Sequence, residues 1–355
     1  MQRNDLYRII DANINRASEA LRVLEDWARF GKDSKTVSEK LKKIRHDLNK
    51  HFSSFGLVTS RESESDVGRS IENNSKRETI GDILRANSKR AEEALRVLSE
   101  YGQLLNTDTQ IIEKDRYEIY TIEKELLTSE KLFRLANASL YLVTNRDNFK
   151  SDNEFLNVIE KSIEGGIDII QLREKKECEQ RILLLAKEIK KLISKTEVLF
   201  VVNDRIDIAL ACEADGVHLG QDDFPIKEAR KVLPEGFIIG LSTHSIEQGK
   251  NAVRADVHMP LADYLGVGPV FPTPTKPDYK AAGLEYVNWA SENLKNIPWF
   301  AIGGIDTTNI DKVVNAGAGK IAVVRSIMEA DNPKETAKIL KEKLNIKSKL
   351  VYEKI

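Results

Sequence analysis

Several short polar side chains recur at the ends of apolar runs in the second half of the chain, and their types suit one kind of ligand. Gln171-Leu172-Arg173-Glu174-Lys175 places an amide and two cations at alternate positions. In extended backbone all three turn the same way. Such a row packs poorly against other side chains but suits an oxyanion-rich ligand, although pairing with acids on a rim is the alternative. Asn203-Asp204 and Gly220-Gln221-Asp222-Asp223 supply carboxylates after two other runs. Asp204 and Asp223 could share one hard cation, because Mg²⁺ favours one or two carboxylates together with phosphate oxygens. Either aspartate could instead cap a helix.

Two further segments complete the set. Gly266-Val-Gly-Pro-Val-Phe leads into Pro-Thr-Pro-Thr-Lys, where prolines stiffen the backbone. Thr273 and Thr275 there offer hydroxyl and backbone donors, and Lys276 offers charge, to a phosphate. Gly303-Gly304 lets backbone N–H groups approach an anion, as does the segment beginning at Val324-Arg325-Ser326. Ser242 precedes Thr243-His244. His218, between Val217 and Leu219, reads as a hydrogen-bonded interior group more readily than as a base.

These residues must be positioned by the runs that precede them. The runs are short, β-branched and nearly continuous: 139–144, 167–173, 197–204, 216–219, 237–242, 262–268, 299–304 and 320–324. Continuous apolar character marks parallel strands buried on both faces, and helical patterns separate them. Eight strand–helix units over residues 136–355 predict an α/β fold, a closed (β/α)₈ TIM barrel with its site at the C-terminal strand ends. An open doubly wound sheet would carry a glycine fingerprint after its first strand, where Thr144-Asn145-Arg146-Asp147 stands instead.

Residues 1–135 read differently. They contain no proline and follow a spacing of three and four, which predicts a smaller all-α domain. Within it Asp11–Phe30 is echoed by Arg85–Leu104. Asn13/Asn87, Arg16/Arg90, Ala17/Ala91 and Glu19/Glu93 match, followed by identical Ala-Leu-Arg-Val-Leu runs. In each copy the alanines and leucines share a face, and small alanines allow close helix approach, so a pseudo-twofold helical domain is expected. Residues 53–78 between the copies are polar and read as a loop. A charged helix near Ile111–Leu127 is expected to close the domain.

Composition bounds the rest. Lys plus Arg total 55 against 56 acidic residues, giving a net charge of −1, which gives no drive towards nucleic acid or an anionic membrane. No segment reaches the roughly 20 apolar residues of a membrane span. The N-terminal residues lack a secretory signal's apolar core. Cys178 and Cys212 form no metal or CxxC pattern, so a reduced cytoplasmic protein is expected.

Taken together, YLVTNRD, GGIDIIQLREK, VVNDRIDIAL, ADGVHLGQDD, GLSTHS, YLGVGPVFPTPTK and AIGGI resemble the thiamine-phosphate synthase family across essentially the whole barrel. The resemblance implies condensation of hydroxymethylpyrimidine diphosphate with thiazole phosphate, releasing diphosphate, with Mg²⁺ as cofactor. It implies that Arg173, Lys175, Ser242 and Lys276 hold the diphosphate and that Asp204 and Asp223 hold Mg²⁺. Gln171 and Asn203 would contact the pyrimidine; Thr273, Thr275, Gly304 and the backbone at Val324 would contact the thiazole phosphate. One departure is Arg325, where the family commonly has a small serine.

The segment DANINRASEALRVLED is similar to a helical domain proposed to phosphorylate hydroxymethylpyrimidine phosphate. That activity would use ATP, yet no P-loop is present. Asn13, Arg16, Arg22, Arg45, His46, Asp66, Asn87, Arg90 and Arg96 are its candidate phosphate ligands, and interhelical salt bridges are the alternative. Competing readings of the whole chain are another phosphate-binding barrel enzyme, such as a phosphosugar isomerase, or a non-catalytic sensor of thiamine precursors with a helical partner-binding module.

Overall fold

The structure, a computed structural model, describes residues 3–55, 57, 77, 79–147, 149–253, 262–273 and 281–352. The chain divides into two compact units, Met1–Glu130 and Lys131–Ile355.

The first unit is helical among its described residues: α1 (Arg3–Asp26), α2 (Lys35–His51), α3 (Ile80–Gly102) and most of α4 (Gln110–Asn137), with a π-turn at Trp27–Gly31. Ser34 caps α2 by accepting from the Val37 N–H, and Thr79 with Asp82 forms a reciprocal capping box at α3. Helix α1 packs chiefly on α3. Ala17, Ala20, Leu21 and Leu24 of α1 are buried with Ala91, Ala94, Leu95 and Leu98 of α3 in one apolar core. Most of the polar connection at 53–78, including Asp66, lies outside the described residues. The closing helix is longer than the expected Ile111–Leu127. No Pro or Gly interrupts 110–137, so α4 continues and spans the division between the units.

The second unit is a closed barrel of eight parallel strands in sequential order. They are β1 (Leu140–Val143), β2 (Ile169–Leu172), β3 (Leu199–Asn203), β4 (Gly216–Leu219), β5 (Ile238–Thr243), β6 (Tyr264–Val267), β7 (Trp299–Ile302) and β8 (Ile321–Val323). Helices α5 (Asp152–Glu164), α6 (Glu179–Ile193), α7 (Ile206–Ala211), α8 (Ile226–Val232), α9 (Ile246–Ala252), α10 (Gly283–Asn293), α11 (Ile310–Asn315), α12 (Arg325–Met328) and α13 (Pro333–Tyr352) follow or connect the strands. Strands are apolar on both faces because both are covered. Leu140, Leu142, Ile170, Phe200, Val202, Val217 and Ile239 pack under the helices. Tyr141, Val143, Ile169, Leu199, Val201, Ile238, Tyr264, Phe300 and Ala322 fill the interior.

At the opposite end from the site, one device recurs on alternate strands. An aspartate just before β2, β4 and β6 accepts the N–H of the preceding strand: Leu140 to Asp168 at 2.9 Å, Phe200 to Asp215 at 2.9 Å and Ile239 to Asp263 at 2.7 Å. Each carboxylate is also paired with a cation, Lys341, Lys131 and Arg230 respectively. These charge-assisted bonds fix where neighbouring strands begin, and hence the register at which they end. Among the described residues no helix is long and apolar enough to cross a membrane.

Candidate active site

The C-terminal strand ends open on a cavity of about 440 Å³. Side-chain alternation decides what faces it. Gln171 on β2, Asn203 on β3, His218 on β4 and Ser242 on β5 occupy inward positions, and all four line the cavity. Tyr141, Tyr264 and Phe300 form its buried aromatic lining, with Phe300 edge-on to both tyrosines. Glycines make the room. A Cβ on Gly240 would stand 2.1 Å from the Tyr264 ring and 2.5 Å from His218 Nδ1.

A continuous set of hydrogen bonds joins these groups. Gln171 Nε2 donates to Tyr141 Oη at 2.7 Å, and Tyr141 Oη lies 2.8 Å from Tyr264 Oη. His218 Nδ1 lies 3.0 Å from Tyr264 Oη, and its Nε2 lies 2.9 Å from Ser242 Oγ. Burial pushes both phenols well above the usual tyrosine range, so they stay protonated. His218 is thus a hydrogen-bonded interior group, buried as expected. His244 Nδ1 bonds the Gly268 carbonyl at 2.8 Å, just before α9.

The cations separate. Arg173 lines the cavity, and no ion pair to its guanidinium occurs among the described residues. Lys175 does not line it. Strand β2 ends at Leu172, so alternation lapses before Lys175, whose half-exposed side chain pairs with Asp204 Oδ2 at 3.2 Å. Rim pairing, an alternative for both cations, therefore holds for Lys175.

Asp204 follows β3 with a left-handed backbone (φ 61°), its N–H donating to the His218 carbonyl at 2.9 Å. Burial and the contacting Asp223 carboxyl push the Asp204 carboxyl above its usual range, and Lys175 opposes the shift. Asp223 also accepts the Gly220 N–H at 2.6 Å. Neither aspartate is a helix cap. Arg205 and Pro225 hold the positions before α7 and α8, and neither helix has a side-chain cap. Among the described residues no group of three or more acidic, histidine or cysteine side chains gathers as a metal cluster.

The far side of the cavity is built around two glycines. Gly303 and Gly304 adopt φ of 106° and 66°, and a Cβ on Gly304 would meet Phe271 Cβ at 2.8 Å. The Val270 and Phe271 N–H groups bond the Ile302 and Gly303 carbonyls, tying the segment after β6 to the end of β7. Thr273, Gly304 and Val324 line the cavity, as do Arg325 and Ser326 at the start of α12. Thr275 and Lys276 lie outside the described residues. Sequence reasoning passed over Tyr141, Tyr264, Phe300, Asp306 and Glu329, which also line it. For the aromatics a signal existed: each occupies an inward-alternating position of its strand.

Residues 140–327 match the family described as thiamine monophosphate synthase. A thiamine-phosphate synthase of Nostoc punctiforme is 42% identical over 96% of this chain and 94% of its own length. One from Synechocystis is 43% identical over 94% and 95%.

The chain belongs to the thiamine-phosphate synthase family.

It is accordingly a transferase of thiamine biosynthesis. The thiamine phosphate pyrophosphorylase of Pyrococcus furiosus superposes on 59% of this chain and 96% of its own, with a TM-score of 0.52 and 35% identity. Residues 8–125 match a second family, ThiD2, so this thiamine-phosphate synthase carries a helical unit with relatives of its own.

Within that unit the two similar segments make the same local bonds. Asn13 Nδ2 donates to the Ile9 carbonyl at 2.8 Å, and Asn87 Nδ2 donates to the Ile83 carbonyl at 2.8 Å. Arg16 and Arg90 each reach the amide oxygen of the asparagine three residues before them, at 3.5 Å. Other arginines make salt bridges: Arg22 to Glu25 and Asp26, Arg45 to Glu25, and Arg96 to Glu100 and Glu113. Only the Arg45–Glu25 and Arg96–Glu113 pairs among these run between helices.

Proposed function

We propose that the barrel joins the pyrimidine of hydroxymethylpyrimidine diphosphate to thiazole phosphate, giving thiamine phosphate and diphosphate. The observation that carries this reading is the division of the cavity. Arg173, which has no ion pair among the described residues, stands with short polar groups on β2, β3 and β5, and the positive-φ glycines follow β7. Two anionic ligands can thus sit at opposite walls with their reacting carbons and nitrogen between them.

The thiazole nitrogen has a free lone pair, so attack needs no general base. The C–O bond to diphosphate breaks, the pyrimidine methylene bears the developing positive charge, and the ring nitrogen takes it up as the C–N bond forms. Arg173 and Ser242 hold the departing diphosphate, joined by Lys175 and Lys276. Gln171 and Asn203 orient the aminopyrimidine. Thr273, Thr275, Gly304 and backbone near Val324 fix the thiazole phosphate. Tyr141, Tyr264 and Phe300 exclude water from the cationic carbon.

Asp204 and Asp223 fit Mg²⁺. They are hard oxygen donors in contact with each other, and a divalent cation relieves their repulsion while leaving positions for phosphate oxygens. Bound there, Mg²⁺ would neutralise charge on the leaving diphosphate.

The helical unit is read as the supplier of that diphosphate, phosphorylating hydroxymethylpyrimidine phosphate from ATP. The support is its ThiD2 match and the paired Asn–Arg geometry of α1 and α3, consistent with a duplicated, pseudo-twofold domain. Arg16 and Arg90, each bonded to an asparagine and to no carboxylate among the described residues, are the groups assigned to meet phosphate.

The test supplies the pyrimidine diphosphate, thiazole phosphate and Mg²⁺ to the purified chain. Thiamine phosphate formation is expected, and folded protein without product would sink the barrel reading. Replacing the diphosphate by the monophosphate plus ATP should restore product if the helical unit is a kinase. A signal only with preformed diphosphate removes that role.

A further inference from the structure

The hydrogen-bond chain beneath the cavity has a direction. An amide Nε2 can only donate, so Tyr141 Oη accepts from Gln171. Tyr141 has one proton, and Tyr264 Oη is its other polar contact among the described residues. Tyr264 in turn has one proton, which goes to His218 Nδ1. A ring nitrogen that accepts carries no hydrogen, so His218 is neutral and protonated on Nε2. That hydrogen goes to Ser242 Oγ. The serine oxygen is occupied as an acceptor, and its own proton is left for the cavity.

We infer that Gln171, Tyr141, Tyr264 and His218 form a one-way relay of orientation that makes Ser242 a hydrogen-bond donor to an anionic ligand oxygen. Its two ends match the substrate class assigned above, and the inference rests on that reading. Gln171 Nε2 is engaged with Tyr141, which leaves the amide oxygen as the group that can accept from an amine. Ser242 presents a proton, which suits a phosphate oxygen. An aminopyrimidine diphosphate has both partners. His218 is a positioning residue, not a base: it acts only through Ser242.

Two further observations point the same way. The Gly240 and Gly266 positions flank the His218 ring, and a Cβ on Gly240 would collide with both His218 and Tyr264. Strand β5 gives up a side chain so that this contact can form. The chain also links four strands, β2, β1, β6 and β4, to a fifth, β5, through groups that are buried or nearly so. Buried hydrogen bonds of this kind are costly to leave half-made, so one break disorders the rest.

The first measurement is the tautomer. With ¹⁵N-histidine incorporated in the full chain, His218 is assigned among five histidines by its loss in His218→Gln. A pyrrole-type Nε2 and a pyridine-type Nδ1 are expected in wild type, and a mixture is expected in Tyr264→Phe. A protonated Nδ1 in wild type would mean the chain runs the other way, with Ser242 donating to His218, and overturns the inference whatever the activity.

The second measurement is kinetic. Ser242→Ala and His218→Leu should each lower kcat by about tenfold, the effect of one lost hydrogen bond of roughly 1.4 kcal/mol. KM for thiazole phosphate should hold. The double variant should fall no further than Ser242→Ala alone, and His218→Gln, whose amide N–H replaces Nε2–H, should recover most of the rate. Additive losses, with melting temperatures unchanged, would show His218 acting independently of Ser242 and overturn the relay. If the tautomer is as stated but Ser242→Ala turns over normally, the ligand contact of Ser242 falls while thiamine phosphate formation itself stands.

Discussion

Lys175 Nζ stands 3.2 Å from Asp204 Oδ2, so the cation following β2 and the carboxylate following β3 balance each other across adjacent strand ends. Asp223 contacts the same carboxylate, so the three groups form one charged cluster. Were Mg²⁺ held by Asp204 and Asp223, it would replace Lys175 as their counter-charge, and the lysine would be free to meet a phosphate oxygen. Asp204→Ala should therefore reduce kcat/KM on the order of 10³-fold, comparable to losing a central electrostatic stabiliser. Turnover measured against Mg²⁺ concentration checks it, and wild-type turnover in that variant would remove the metal assignment.

Lys175→Met should be milder. The side chain is 54% exposed and is a point charge paired with Asp204. A loss of about ten- to a hundredfold in kcat/KM for the pyrimidine diphosphate is expected, steeper at low ionic strength. A salt-independent loss would argue against an electrostatic role.

Gly304→Ala tests the thiazole phosphate wall. The new Cβ meets Phe271 Cβ at 2.8 Å on a backbone with φ of 66°. Strain and displacement together should cost about 1–3 kcal/mol of stability and raise KM for thiazole phosphate more than KM for the pyrimidine. Equal effects on both would place the anion elsewhere.

Asp215 bears on pH. Burial alone would raise its carboxyl, but Lys190, Lys131 and the Phe200 N–H bring it below the usual carboxylate range. A carboxyl whose folded pKa is depressed stabilises the fold at pH above its unfolded value of about 3.9 and loses that contribution as pH falls through the folded pKa. Barrel stability should thus decline below about pH 4, and Asp215→Asn should flatten that decline. At neutral pH the same change should cost about 1–3 kcal/mol, since the carboxylate's charged contacts to two partly exposed lysines are lost. Denaturant melts across pH read both effects; an unchanged acid limb would exclude Asp215 as its source.

In the helical unit, Arg16→Ala and Arg90→Ala separate a phosphate role from a structural one. Neither guanidinium has a carboxylate partner among the described residues, so stability should change by no more than about 0.5 kcal/mol. ATP-dependent product formation from the monophosphate should fall at least about tenfold for either. Stability losses with undiminished activity would return both arginines to a structural role.

Much of the barrel was legible because its strands are buried twice. Continuous runs such as Gly216–Leu219 can lie nowhere but between a helix layer and an interior. Polar residues that line the cavity from strand ends were legible for the same reason: the architecture sets which end of each strand opens on it. Lys175 lies off the cavity lining because the alternation that aligns it with Gln171 ends at Leu172, where hydrogen bonding to the neighbouring strand stops and nothing holds the period of two. Helix α4 was cut short because the apolar pattern weakens after Leu127, although no residue there ends a helix.

By itself the sequence determined the strand count, the helical first third with its echoed segments, and most of the polar groups that reach the cavity. These depend on local period and residue type. Only the tertiary structure decided that Tyr141 and Tyr264, 123 residues apart, meet across the barrel, and that His218 is held between Tyr264 and Ser242. Such contacts follow from closure and register, which set distances between side chains that no local pattern records.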